Sequence, residues 1–319
     1  MKNSKKSGKS RRQSAAITTS PNIQTILATT DFSDESRSGV SYAVALGEQL
    51  GATIALLHVI EPPSRLSGVE SVVLARKDSE VMAFARAKLA TLAKHESKGD
   101  VAVTSSVRLG KPFHEINTAA RESTADVIVI ATHGYTGVEH VLLGSTAERV
   151  VRHAPCSVLT VPARIGKGPP FRLKKILVPM DFSDLSKGAL PLATFLAAQF
   201  KAEVVLLHVV EKFPIDYLLG RELTSHTIVP LMKQAEADLA RAAADLARSF
   251  GIKISAAVRE GKPHEEICEA AKALAVDLIV LTTHGYTGLK YVWLGSIAER
   301  VVRHAPCPVL VVRATKPRS

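Results

Sequence analysis

Residues 132–156, THGYTGVEHVLLGSTAERVVRHAPC, return at 283–307 as THGYTGLKYVWLGSIAERVVRHAPC, with five differences over 25 positions. Agreement at that density is duplication, and a duplication decides the architecture before any single element is read. The same offset of about 150 residues pairs ILATTDFSD (26–34) with ILVPMDFSD (176–184), and IALLHVIE (54–61) with VVLLHVVE (204–211). It also pairs GKPFHEI (110–116) with GKPHEEI (261–267). A repeat of this length is a whole domain rather than a solenoid unit. The chain therefore divides into a tail (1–20), a first domain (21–163), a Gly/Pro-marked linker (164–172), a second domain (173–314) and a short end (315–319).

Within a repeat, short apolar runs alternate with segments of helical spacing. In the first copy the strand candidates are 24–30, 53–60, 101–108, 126–131 and 157–162; the second and fourth are almost continuously apolar, as strands buried on both faces are. Helix candidates fall at 34–50, about 70–97, 112–123 and 145–153, with Ser33 and Ser145 as N-cap candidates. Parallel neighbours need crossovers, so strand–helix alternation predicts an α/β fold. The expectation is two tandem doubly wound, Rossmann-like domains, each a five-stranded mainly parallel sheet with helices on both faces. A ligand then binds beyond the carboxyl ends of the strands, where the strand order reverses.

Composition sets the outer limits. With 319 residues, 46% hydrophobic, 22% charged and 5% aromatic, the chain reads as globular, with no apolar stretch long enough for a membrane span and no secretory h-region. A cytoplasmic setting is expected. Of the formal net charge of +11, six come from Lys2, Lys5, Lys6, Lys9, Arg11 and Arg12 in a segment without acids, and two from Lys316 and Arg318. The body is near neutral, and the tail, lacking aromatics for base stacking, reads as a solubilising arm rather than a nucleic-acid contact. Cys156, Cys268 and Cys307 show no metal or redox spacing and read as reduced core thiols.

Strand one ends at Asp31 and, in the second copy, at Asp181, each followed by Phe-Ser-Asp. That carboxylate reads two ways: as an acceptor for ribose hydroxyls at the switch point, or as an Asx turn entering a helix capped by Ser33 or Ser183. Strand four runs into a loop bearing Gly134 and Gly137, then Gly144-Ser145 opens a helix. Glycines and a helix N-terminus suit a phosphate; Ser145-x-x-Glu148 and Ser296-x-x-Glu299 equally fit a capping box. His58 and His208 lie inside apolar strands and read as core histidines. His133 and His284 are the only general-base candidates beside the loop, and no Ser, Cys or second carboxylate completes a dyad.

These residues resemble the universal stress protein family over nearly the whole chain, as a tandem pair. The resemblance implies an ATP-binding, non-catalytic or at most slowly ATP-hydrolysing module of stress response or signalling, usually with Mg2+ or Mn2+. It implies that Asp31 and Asp181 hold the adenosine part, with Thr30 beside Asp31, and that the Val59 and Val209 backbones meet the adenine edge. By the same resemblance the phosphates are held by His133, Gly134, Gly137, Gly144, Ser145 and Thr146 in one copy. In the other they are held by His284, Gly285, Gly288, Gly295 and Ser296. The family's first loop glycine is Ala131 in one copy and Thr282 in the other; Met180 and Ile297 stand where Thr30 and Thr146 stand in the first. The first copy is therefore expected to be the better site. The family also dimerises through its last strands, here 157–162 and 308–313, which a tandem chain can pair within itself; a homodimer is the other arrangement. A nucleotide-free scaffold acting through protein or nucleic-acid contacts is the competing function.

Overall fold

The computed structural model describes residues 21–62, 70–97, 101–132, 143–163, 171–211, 225–282 and 295–313, the side chains of 70–78 and 225–227 excepted. The readings placed on residues 1–20, 164–170 and 315–319 lie outside them. In the first domain, strands β1 (Thr25–Thr30), β2 (Thr53–Ile60), β3 (Val103–Leu109), β4 (Val127–Ala131) and β5 (Ser157–Val161) alternate with four helices. These are α1 (Asp34–Leu50), α2 (Glu70–Glu96), α3 (Pro112–Glu122) and α4 (Ser145–His153). The second domain carries β6 (Lys175–Pro179), α5 (Asp184–Lys187), α6 (Leu190–Phe200), β7 (Glu203–Glu211) and α7 (Ser225–Phe250). It continues with β8 (Ile254–Gly261), α8 (Pro263–Ala273), β9 (Leu278–Thr282), α9 (Ser296–His304) and β10 (Val309–Val312).

The strand order is β3-β2-β1-β4-β5-β10-β9-β6-β7-β8. Each half is parallel and reverses direction of winding between its first and fourth strands, with Ile26 level with Ile54 on one side and Val127 on the other. β5 and β10 meet antiparallel, Leu159 opposite Leu310, so the two sheets run into one. Helices cover both faces, and each face has its own apolar core: Ile26, Leu56, Leu159, Leu206 and Leu310 on one, Leu57, Ile128, Val158, Leu177 and Ile279 on the other. An aromatic run, Tyr42 to Phe171 (4.9 Å between centroids) to Phe200 (5.6 Å), crosses from α1 to α6 on the first face.

Two local features explain where the copies differ and where they agree. α1 is continuous, whereas the second copy breaks into α5 and α6 at Gly188-Ala189, just before Pro191. Proline has no N–H for the carbonyl four residues back and its ring collides with it, so the helix must restart there. In both copies an aspartate before strand four ties down the start of strand one. Asp126 Oδ2 accepts from the Gln24 and Thr25 amides (2.8 and 3.0 Å), and Asp277 Oδ2 from those of Lys174 and Lys175 (2.7 and 2.9 Å).

The three cysteines are free thiols. Burial pushes Cys156 and Cys307 up to about 12 and Cys268 up to about 11. A raised pKa removes the thiolate, which at pH 8 amounts to about one part in ten thousand for a pKa near 12. Iodoacetamide at pH 8 should therefore leave Cys156 and Cys307 unmodified in the native protein and alkylate all three in denaturant. Native labelling of either buried thiol by mass spectrometry contradicts this packing.

Candidate functional site

At the switch point β1 does not simply end; it turns. Phe32 adopts φ 68°, a left-handed conformation costly for a bulky residue. The turn is over-determined by hydrogen bonds. Phe32 N donates to Thr30 Oγ1 (2.9 Å), and Thr30 Oγ1 lies 2.9 Å from Ser36 Oγ. Ser36 Oγ donates to Ser33 O (3.0 Å), so the proton between the two hydroxyls belongs to Thr30. Asp31 Oδ1 accepts from Ser33 N (3.0 Å) and Ser33 Oγ (2.5 Å), while Ser33 Oγ caps α1 at Ser36 N (3.2 Å). The Asx-turn reading of Asp31 is met by these bonds, and the same residue also lines the cleft described below. The Thr30 hydroxyl supports the backbone of Phe32.

Beneath the turn, His58 Nδ1–H donates to Thr30 O (2.8 Å) and its ring packs on Phe32, centroids 4.2 Å apart. Burial lowers the His58 pKa, against the opposing pull of its bond to Thr30. Lys88 Nζ stands 4.5 Å from the centroid of the Phe32 ring. The second copy repeats the arrangement with Phe182 at φ 62°, Asp181 Oδ1 holding Ser183, and His208 Nδ1–H on Met180 O at 2.7 Å. Both histidines are positioning groups for the end of strand one, and among the described residues no cluster of three metal-ligating side chains occurs.

A cleft of about 400 Å³ opens beyond the carboxyl ends of β1, β2 and β4. Thr30, Asp31 and Ser36 form one wall, Leu57, Val59 and Glu61 the next, with Pro112 and Ile116 of α3 behind. Ala131, Thr132 and the N-terminal turn of α4, Gly144 to Ala147, close the other side. The residues Thr30, Asp31, Val59, Ala131, Gly144, Ser145 and Thr146 therefore lie together. His133, Gly134 and Gly137, like His284, Gly285 and Gly288, are outside the described residues.

The capping reading of Ser145 is overturned. The N-cap of α4 is Gly144, no side chain among the described residues caps it, and Ser145 is the first helical residue; Glu148 pairs instead with Arg152 at 2.8 Å. Gly295 and Ser296 repeat this, with Glu299 on Arg303 at 3.1 Å. With Gly144 and Gly295 at the N-caps, Glu148 and Glu299 fall at the fourth helical position, one residue past capping-box register, and each pairs with the arginine one turn on. Among the described residues no side chain takes up the first-turn amides of α4, which stand at the positive end of the helix beside the cleft. Gly144 is fixed there by its amide bond to Thr132 O (2.8 Å).

In the second copy, Thr282 ends β9, and its Cγ2 packs 3.5 Å from where a Cβ on Gly188 would stand. The β-branch thus rests on the helix break beside Gly188. Ser36, Glu61, Pro112 and Ile116 were not anticipated as cleft residues; the repeated Gly-Lys-Pro of 110–112 and 261–263 was the available signal for the α3 wall.

The fold and cleft define a tandem of doubly wound α/β domains with a ligand cleft at a switch point. The family model described as the universal stress protein family matches residues 22–162 and again 172–313. The chain belongs to the universal stress protein family, as a two-domain member. Universal stress protein MJ0531 of Methanocaldococcus jannaschii is 41% identical over 143 residues, covering 45% of this chain and 84% of that protein. Universal stress protein YxiE of Bacillus subtilis is 33% identical over 148 residues, 44% of this chain and 98% of that one. A universal stress protein structure from Archaeoglobus fulgidus superposes over 91% of this chain and 98% of its own, with TM-score 0.68 at 22% identity, a likeness of fold. No helix among the described residues is long and apolar enough to cross a membrane.

Proposed function

We propose that the protein is a nucleotide-binding, non-catalytic module of stress response or signalling, working in the cytoplasm, with ATP as its first ligand. The observation that carries this is the cleft of about 400 Å³ in the first domain, lined both by Asp31 and by Ser145, Thr146 and Ala147 of the first turn of α4, whose N-cap Gly144 has no side-chain cap among the described residues. That volume lies within the range of small-molecule sites. Adenosine fits the Asp31–Val59 side, and phosphates fit the helix end, which favours anions. The described lining holds Asp31 and Glu61 but no Lys, Arg or His, so a Mg2+ or Mn2+ ion would arrive on the phosphates and offset this negative charge. In the second copy Asp181, Val209, Thr282, Gly295 and Ser296 form the corresponding, weaker set.

Segments 21–163 and 173–314 act as two domains paired through β5 and β10 within one chain, with a homodimer as the alternative. Gel filtration with small-angle scattering should show a compact particle of one 34.1 kDa chain; extended, separately tumbling domains would remove the pairing. The function itself is tested by denaturing the purified protein and separating the released nucleotides. Adenine nucleotide at about one per chain is expected, with no turnover of added ATP beyond a slow background. Absence of nucleotide, together with no heat on titration with millimolar magnesium ATP, would favour the scaffold reading.

A further inference from the structure

α4 spans nine residues, about 13 Å, and is shared between the domains. Its N-terminal turn lines the first cleft, while its other end is held by residues of the second domain. Arg313, directly after β10, donates its guanidinium N–H to the carbonyl of Ala154, the residue that ends α4. Its backbone amide donates to Ser157 Oγ (3.4 Å), at the start of β5. Two residues back, Arg152 binds Glu148 of its own helix at 2.8 Å and Glu299 of α9 at 3.7 Å. Arg313 is half-buried, and that burial lowers its pKa. A guanidinium gives up water where a strong acceptor replaces it, and a helix C-terminal carbonyl carries the negative pole of the dipole. The contact has no mirror image, because the residue matching Arg313 in the first copy is Pro162, which lacks a donor.

We infer that Arg313 is a positioning residue for the cleft of the other domain: it anchors α4 and so sets the affinity of the first site for the phosphates of its ligand. The inference rests on the nucleotide reading above. Two physical effects act in the same direction. A cation at the C-terminus offsets the negative pole that opposes an anion bound at the N-terminus. Anchoring also holds the amides where the anion needs them, so less ordering remains for binding. Glu299 adds a second tie through Arg152, so the state of the second domain is felt in the first.

The test is calorimetric titration of the full chain with magnesium ATP, the first-domain event being the one lost in Gly144→Val. Arg313→Ala should weaken that event by about fivefold, the low end of measured couplings, and leave any second-domain event unchanged. Arg313→Lys should recover part of the loss, and Arg313→Gln, which keeps a donor without the charge, less. A purely structural cap would lower the thermal midpoint in these variants with one and the same dissociation constant, and that result overturns the inference. Should Arg313→Ala not fold, the Lys and Gln variants decide, equal affinity in both counting against it. No heat in the wild type removes the nucleotide reading and this inference together, whereas heat with an unchanged constant removes the inference alone.

Discussion

Gly144→Val is expected to abolish nucleotide uptake by the first domain while leaving the protein folded. The residue has φ −59° and ψ 141°, an extended conformation that valine adopts readily, so no backbone strain opposes the change. A Cβ there would lie 3.3 Å from Thr132 O, a contact that a shift of a few tenths of an ångström relieves. No capping side chain is lost, so the stability cost should stay within about 1 kcal/mol. The branched methyls, by contrast, project beside the α4 amides where a phosphate would sit. Losing those amide contacts and filling their space should weaken binding at least about 100-fold, or about 2.7 kcal/mol. Titration calorimetry with a matched thermal melt reads both quantities. Unchanged affinity in a folded Gly144→Val protein would place the ligand elsewhere in the cleft or outside it.

That the same substitution is informative in advance shows what the sequence made legible. The duplication, the alternation of apolar runs with helical spacing, and DFS after strand one put Asp31 and Gly144 at one switch point, whereas Val59 enters only through the resemblance to the universal stress protein family. Strand and helix limits follow closely because β2 and β4 are buried on both faces and because Ser33 announces α1. Periodicity carries no information on which polar groups meet in the fold. Glu148 fits a capping box by spacing from Ser145, yet the helix takes Gly144 as its N-cap, which moves Glu148 one position out of register and leaves it to pair with Arg152. The resemblance implies a ligand role for Thr30, and spacing gives no hint that its hydroxyl also holds the Phe32 amide and meets Ser36. Arg313 carries no sequence signal of its own, and only the folded arrangement brings it to Ala154, 159 positions away in sequence. Pro191 was visible, but its consequence, a broken helix that gives Thr282 room beside Gly188, needed the tertiary neighbours.

Leu159→Ala and Leu310→Ala should each destabilise the whole molecule, because the two side chains face one another across the antiparallel pair that joins the domains. Both are buried, at 2% and 3% exposure, in a core that runs through the seam from Ile26 to Leu206. Truncating a buried leucine costs about 2–5 kcal/mol through lost transfer energy and the cavity left behind. For a domain pair of this size that corresponds to a fall of about 4–10 °C in the thermal midpoint. Since the residues touch the same space, the double variant should lose less than the two single losses added, by about 0.5–3 kcal/mol. The form of the melt decides between two molecules. If β5 and β10 are paired in solution, the wild type unfolds in one cooperative transition and either substitution moves all of it. If the domains stand apart, each leucine caps the edge of its own sheet: two transitions appear, Leu159→Ala moves one, Leu310→Ala moves the other, and their effects add. In the second case Arg313 has no helix to anchor and the two clefts must act independently, so this melt also bears on any communication between them.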